Sequence, residues 1–130
     1  MNLLVDTHVL VWYGEGNPRL SERIRVALDN PHNAILISIA TFWEFTIKES
    51  CGKLRLKSGV RGLYDDWVRF GGCSLLEVRL QHLETLRELP WLHRDPFDRL
   101  LVALALATDS VLVSQDPDVL GYAGLKLLPT

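Results

Sequence analysis

Short apolar runs alternate along this chain with stretches in which apolar positions recur every three or four residues. The first run, Met1–Val5, closes on Asp6 and reads as a buried strand with an acid at its C-terminal end. Thr7 to Tyr13 predicts a helix that gives out at Gly14 and the Gly16-Asn17-Pro18 turn. Ser21 opens a second helix, with Ile24, Ala27 and Leu28 at helical spacing. Beyond the turn at Asn30-Pro31, Ala34–Ile37 predicts a second strand. Ser38 or Thr41 then caps a helix through Ser50 that Gly52 ends, and Thr41-Phe42-Trp43-Glu44 fits a capping box. A helix from Ser58 through Phe70 closes at Gly71-Gly72, Cys73–Val78 predicts a third strand, and Gln81–Leu89 an amphipathic helix stopped by Pro90. Val111–Val113 reads as a fourth strand and Leu125–Leu128 as a short last one.

Between these lies His93–Ala107, HRDPFDRLLVALALA, on which the chain is organised. Pro96 at a first helical position behind Asp95 as N-cap opens a helix whose apolar half is uninterrupted, so the helix lies under the rest of the domain. Asp95 and Asp98, three residues apart, share one face at its N-terminus. Capping and the helix dipole alone account for two acids there; the acids elsewhere in the chain give them a second meaning. Strands alternating with helices indicate an α/β domain with a mainly parallel sheet of four to five strands, in which sites form at the C-terminal strand ends. Asp6 and Asp116 both fall just after a predicted strand.

Composition narrows the setting. With 130 residues, 48% hydrophobic and 23% charged, the expectation is one domain, residues 1–130, with a proper core. No stretch reaches the roughly 18 apolar residues of a membrane span, and the apolar N-terminus lacks a basic n-region, so no signal peptide and a cytoplasmic protein are expected. Cys51 and Cys73 lack metal-ligand spacing and are expected to be reduced thiols. The net charge is −2, but discounting Asp6, Glu44, Asp95, Asp98 and Asp116 leaves +3 elsewhere, which permits a nucleic-acid partner. Lys48, Lys53, Arg55, Lys57 and Arg61 form the densest basic stretch, either a solvated surface or a contact for RNA backbone.

Clustered carboxylates raise one another's pKa unless a counter-charge joins them, and an all-oxygen set suits Mg²⁺ or Mn²⁺. Such an ion stabilises a transferring phosphoryl group and yields a hydroxide-like nucleophile, so phosphodiester hydrolysis is the natural reaction.

Four pieces now occur in order: Leu3-Leu4-Val5-Asp6-Thr7-His8; Trp43-Glu44 leading to Gly52-Lys53-Leu54; His93-Arg94-Asp95-Pro96-Phe97-Asp98-Arg99; and Ser114-Gln115-Asp116. Together they make the chain resemble a PIN-domain ribonuclease of the VapC toxin type over nearly its whole length. The resemblance implies a three-layer αβα fold and a Mg²⁺- or Mn²⁺-dependent endoribonuclease that is usually a homodimer, silenced by a small cognate antitoxin. It implies that Asp6 and Asp98 are the principal metal ligands and that Glu44 and Asp116 complete the catalytic quartet. Asp95 is an additional acid, and Thr7 and Ser114 are hydroxyls that orient carboxylates. Arg94, Arg99, Lys48 and Lys53 are candidates for substrate phosphate, and His93 for general acid or base. Arg94 and Arg99 can instead pair with Asp95 and Asp98, and Glu44 with Lys48 at i, i+4. Tyr64, Trp67 and Phe70 are either dimer contacts or core.

Other readings fit less of the chain. A haloacid-dehalogenase-type phosphatase wants an acid two residues after the first, where His8 stands. A receiver domain wants an aspartate ending its third strand and a lysine after a later one; here the strand ends near Val78 without an acid, and Ser114 follows Val113. Another Mg²⁺-dependent phosphohydrolase and an inactive PIN scaffold remain as alternatives, the second opposed by retention of every acid.

Overall fold

The strand that opens the chain is the middle of the sheet. In the computed structural model, which describes residues 1–92, 94–119 and 121–129, β1 (Asn2–Val5) pairs in parallel with β2 (Ala34–Ser38) on one side and β4 (Val111–Val113) on the other. β3 (Ser74–Leu76) adds outside β2 and β5 (Lys126–Leu127) outside β4, giving the order β3-β2-β1-β4-β5, all parallel. Continuous apolar sequence in β1 follows from covered faces on both sides. Leu3 and Val5 pack with α1 (Thr7–Glu15), α2 (Glu22–Asp29) and Phe42 and Phe45 of α3 (Ile39–Ser50). Leu4 packs against Leu86 of α5 (Leu80–Glu88) and the apolar half of α6 (Pro96–Thr108). The result is three layers, αβα, as expected.

The chain order reverses direction between β1 and β4, which makes their C-terminal ends the topological switch point. Helix α6 returns through Asp109 and Ser110 into β4 and so runs antiparallel to it. Its 13 residues span about 20 Å against about 10 Å for three-residue β4, so its first turn overhangs the C-terminal edge of the sheet. Asp95 caps that turn by accepting from the Phe97 and Asp98 amides at 2.8 and 3.2 Å, and Leu100–Ala105 are buried. Asp109 ends the helix in the left-handed region, at φ 52°.

Several predicted elements differ. The third strand is only Ser74–Leu76, because β3 has β2 alone to pair with. The helix expected over residues 58–70 is α4 (Gly59–Tyr64) followed by one π-helical turn, Asp65–Arg69, whose wider step shows in the Phe70 amide donating to the Asp65 carbonyl at 2.9 Å. A Cβ on Gly71 would collide with the Asp66 carbonyl oxygen, so the tight exit from this turn requires glycine. Tyr64 and Trp67 are half-buried against Phe42 and Phe45, whereas Phe70 is exposed under the Arg69 guanidinium. Helix α3 is capped by Ser38, which accepts from the Ala40 amide at 3.0 Å, rather than by a Thr41–Glu44 box.

Leu104 is wholly buried in α6. Leu104→Ala is expected to destabilise the fold by about 2–5 kcal/mol through lost transfer energy and a residual cavity. Urea denaturation would show this as a lower midpoint at unchanged slope.

Candidate active site

Asp6 ends the central strand and begins α1 in the same residue. Its amide donates to the Val113 carbonyl at 3.1 Å, continuing the β1–β4 ladder, while its Oδ1 accepts from the Val9 amide at 2.9 Å as the helix cap. The strand thus delivers the carboxylate to the sheet edge and the cap fixes its rotation. Only 6% of Asp6 is exposed. Burial pushes its carboxyl pKa up, and the Asp116 charge adds to that rise; hydrogen bonds from Ser114 and Val9 and the charge of His8 oppose it without reversing it.

Ser114 links the two acids at the switch point. Its hydroxyl is hydrogen-bonded to the Asp6 carboxylate and accepts from the Asp116 amide at 3.1 Å. Asp116 in turn accepts from the Asp118 amide at 2.9 Å, which starts the short turn after β4. Asp6, His8, Val9, Trp12, Gln115 and Asp116 line a pocket of roughly 280 Å³.

Glu44 reaches this edge from α3. Its Oε1 accepts from the Thr7 hydroxyl at 2.6 Å and its Oε2 pairs with Lys48 Nζ at 2.9 Å. The i, i+4 pair therefore exists together with a bond that ties Glu44 to the residue after Asp6. Asp98 comes from the first turn of α6. That turn is docked onto α3 by the Phe97 ring, which meets Trp43 edge-on with centroids 5.0 Å apart. The neighbours of this ring pair in sequence are Asp98 and Glu44, so the contact brings their two backbone positions to one edge.

Asp6, Ser114 and Asp116 are thus linked by hydrogen bonds, Thr7 and Glu44 form a second bonded pair that starts one residue after Asp6, and Asp98 and Asp95 lie on the overhanging helix turn. Among the described residues, no three His, Cys, Asp or Glu side chains converge closely enough to hold a metal ion. The basic candidates divide. Arg99, expected to reach phosphate, is buried with Nη1 donating to the Pro90 carbonyl at 2.8 Å, because its position in α6 faces the core. Lys48 is engaged by Glu44, while Arg94 and Lys53 are exposed. His93 lies outside the described residues.

Gln115 and His8 belong to the site and were not singled out from sequence. Gln115 Oε1 accepts from the Ser21 amide at 2.8 Å and its Nε2 donates to the Arg19 carbonyl at 3.1 Å, clamping the α1–α2 connection beside Asp116. Its partners lie more than 90 residues away in sequence, and no local signal marks them. His8 was legible only as the second residue after the acid.

The family profile of the PIN domain matches residues 3–125. The chain belongs to the PIN domain family. No protein of curated function matches it in sequence. Several solved structures share the PIN fold with it at low identity. The structure of VapBC2 from Rickettsia felis bound to a DNA fragment from their promoter contains a chain with TM-score 0.74 and 18% identity, covering 98% of this chain and 97% of that one. DNA-bound VapBC from Salmonella typhimurium gives 0.70 at 15% identity, covering 98% and 96%. A toxin–antitoxin complex from Klebsiella pneumoniae gives 0.62 at 18%, covering 95% and 94%. No helix of the described PIN domain is long and apolar enough to cross a membrane.

The raised pKa of Asp6 has a definite sign for stability. A carboxyl whose folded pKa exceeds its unfolded value contributes stability that is complete below the unfolded value, near 3.9, and is lost as pH rises through the folded one. At neutral pH without divalent cation, ionised Asp6 therefore costs stability. Asp6→Asn, which keeps the helix cap, is expected to melt higher than the parent in EDTA at pH 7 and to lose that advantage below about pH 4. Thermal melts of both proteins across pH check the sign, and a lower Tm for the variant at pH 7 would contradict it.

Proposed function

We propose that this PIN domain is a divalent-cation-dependent endoribonuclease and the toxin half of a toxin–antitoxin pair of the VapC type. One observation carries the reading: the desolvated Asp6 carboxylate held beside Asp116 at the switch point of the sheet, with its pKa raised by burial and by that neighbour. Two adjacent carboxylates in such surroundings are a mismatch that a hard cation removes, and the donors around them are all oxygen. The donor chemistry, all carboxylate, is that of a Mg²⁺ or Mn²⁺ site, in which Asp6 and Asp98 would be the principal ligands and Glu44 and Asp116 would complete the shell once the side chains close on the ion. A bound cation supplies charge stabilisation of the transferring phosphoryl group and an ionised water.

The chain's own residues prepare that chemistry. Ser114 fixes the Asp6 carboxylate and the Asp116 backbone together. Thr7 and Lys48 hold the Glu44 carboxylate in one orientation. Asp95 caps α6 and so sets the position of the Asp98 backbone. Arg94 and Lys53 are exposed, which supports their assignment to substrate phosphates. The likeness to toxin–antitoxin complexes supports a small antitoxin as partner; a homodimer in the cytoplasm completes the proposal.

The purified protein is expected to cleave single-stranded RNA with Mg²⁺ or Mn²⁺ and to stop in EDTA; undiminished cleavage in excess EDTA defeats the metal reading. Asp98→Asn should lower the rate by roughly a hundredfold or more, and Asp95→Asn, acting on the surroundings of a ligand, by about tenfold, both with near-normal melting. A larger loss for Asp95→Asn would reassign the principal ligand.

A further inference from the structure

We propose that Trp91 is a stacking platform for an unpaired base of the RNA, beside the first turn of α6. The inference rests on the ribonuclease reading above and names how the substrate is held.

Trp91 lies in the segment joining α5 to α6 and is 82% exposed, an unusual place for the largest apolar side chain. Trp12, Trp43 and Trp67 each pack on another ring. Trp91 packs on a cation: the Arg99 guanidinium carbon sits 4.0 Å from its ring centroid. Arg99 is itself buried and bonded to the carbonyl of Pro90, the residue immediately before Trp91. The guanidinium, itself fixed by its bond to Pro90, therefore covers one face of the indole, and the high exposure leaves the rest of the ring open to solvent. A ring held in advance binds a flat partner without an ordering cost.

The location decides the partner. Arg99 follows Asp98 in the first turn of α6, so the indole stands beside the turn that carries the candidate metal ligands. Between Trp91 and that turn come exposed Arg94 and then Asp95. In this reading the ring takes a base, exposed Arg94 a phosphate and the acids of the turn the metal, in that order along one segment of chain. Leu92 beside it is exposed as well, so a protein contact is the competing use of this ring, and the test below separates the two. Stacking on an isolated ring needs a base already out of a helix, which makes single-stranded RNA or a loop the substrate.

The test measures KM and kcat for a short unstructured oligoribonucleotide in Mg²⁺, with the parent protein, Trp91→Ala and Trp91→Phe. The same three proteins are then given oligonucleotides in which one abasic nucleotide is walked across the cleavage site. Trp91→Ala should raise KM roughly tenfold with kcat nearly unchanged, and Trp91→Phe should retain most of the affinity. One abasic position should raise the parent's KM by a similar factor and add nothing in Trp91→Ala. An unchanged KM and an unchanged abasic profile in Trp91→Ala, while the parent cleaves, overturns the platform alone. An altered molar mass in light scattering at unchanged KM also overturns it, assigning the ring to a protein contact. If Trp91→Ala fails to fold by circular dichroism, the Trp91→Phe values and the abasic walk on the parent decide the matter. No cleavage by the parent removes the ribonuclease reading and the platform with it.

Discussion

The pairing of β1 with β4 is the constraint from which the rest of the site follows. Leu3, Leu4 and Val5 align with Val111, Leu112 and Val113, and the Asp6 amide extends the ladder by one more bond to Val113. Parallel pairing ends both strands at the same edge, so Asp6 and Ser114 are neighbours because of register alone. Slipping β4 by one residue would turn Leu112 out of its layer beside α6 and move Ser114 away from the carboxylate. The two core layers therefore lock the register, and the register places the acids.

At that edge the chain puts charge where its own surroundings disfavour it. Burial raises the Asp6 pKa, while Ser114, Val9 and His8 only moderate the rise. Glu44 is different: its two oxygens are met by Thr7 and Lys48. One acid is buried and pushed toward protonation, while the other has a partner on each oxygen. The Trp43–Phe97 contact sets the distance between the helices that carry the remaining acids.

Much of this was legible in the sequence. The apolar run ending at Asp6, the Asp95-Pro96 start of α6 and the Val111–Val113 strand are marked by punctuation and by burial on both faces, which local composition records. Thr41-x-x-Glu44 shows where local signals mislead. The pattern is that of a capping box, but Ser38 lies nearer the strand end and Thr7, far away in sequence, takes the glutamate. Arg99 misled similarly: a charged heptad looks solvated until the carbonyl of Pro90 and the ring of Trp91 are seen to enclose its guanidinium. The π-helical turn had no signal beyond Gly71, whose need arises from a close backbone approach. A distant partner accounts for Glu44, and close approaches of backbone and ring within the same segment account for Arg99 and Gly71.

The sheet also distributes protection against exchange unevenly across the paired acids. Asp6 hangs from the central strand, flanked by paired strands, so its amide belongs to the part of the sheet where opening needs the most free energy. Asp116 stands between β4 and β5, and β5 is a two-residue edge held by two residue pairs. Its surroundings belong to the least cooperative part of the fold, where fraying needs far less free energy. Ser114 therefore joins a carboxylate on the central strand to the backbone of a residue near the short edge of the sheet.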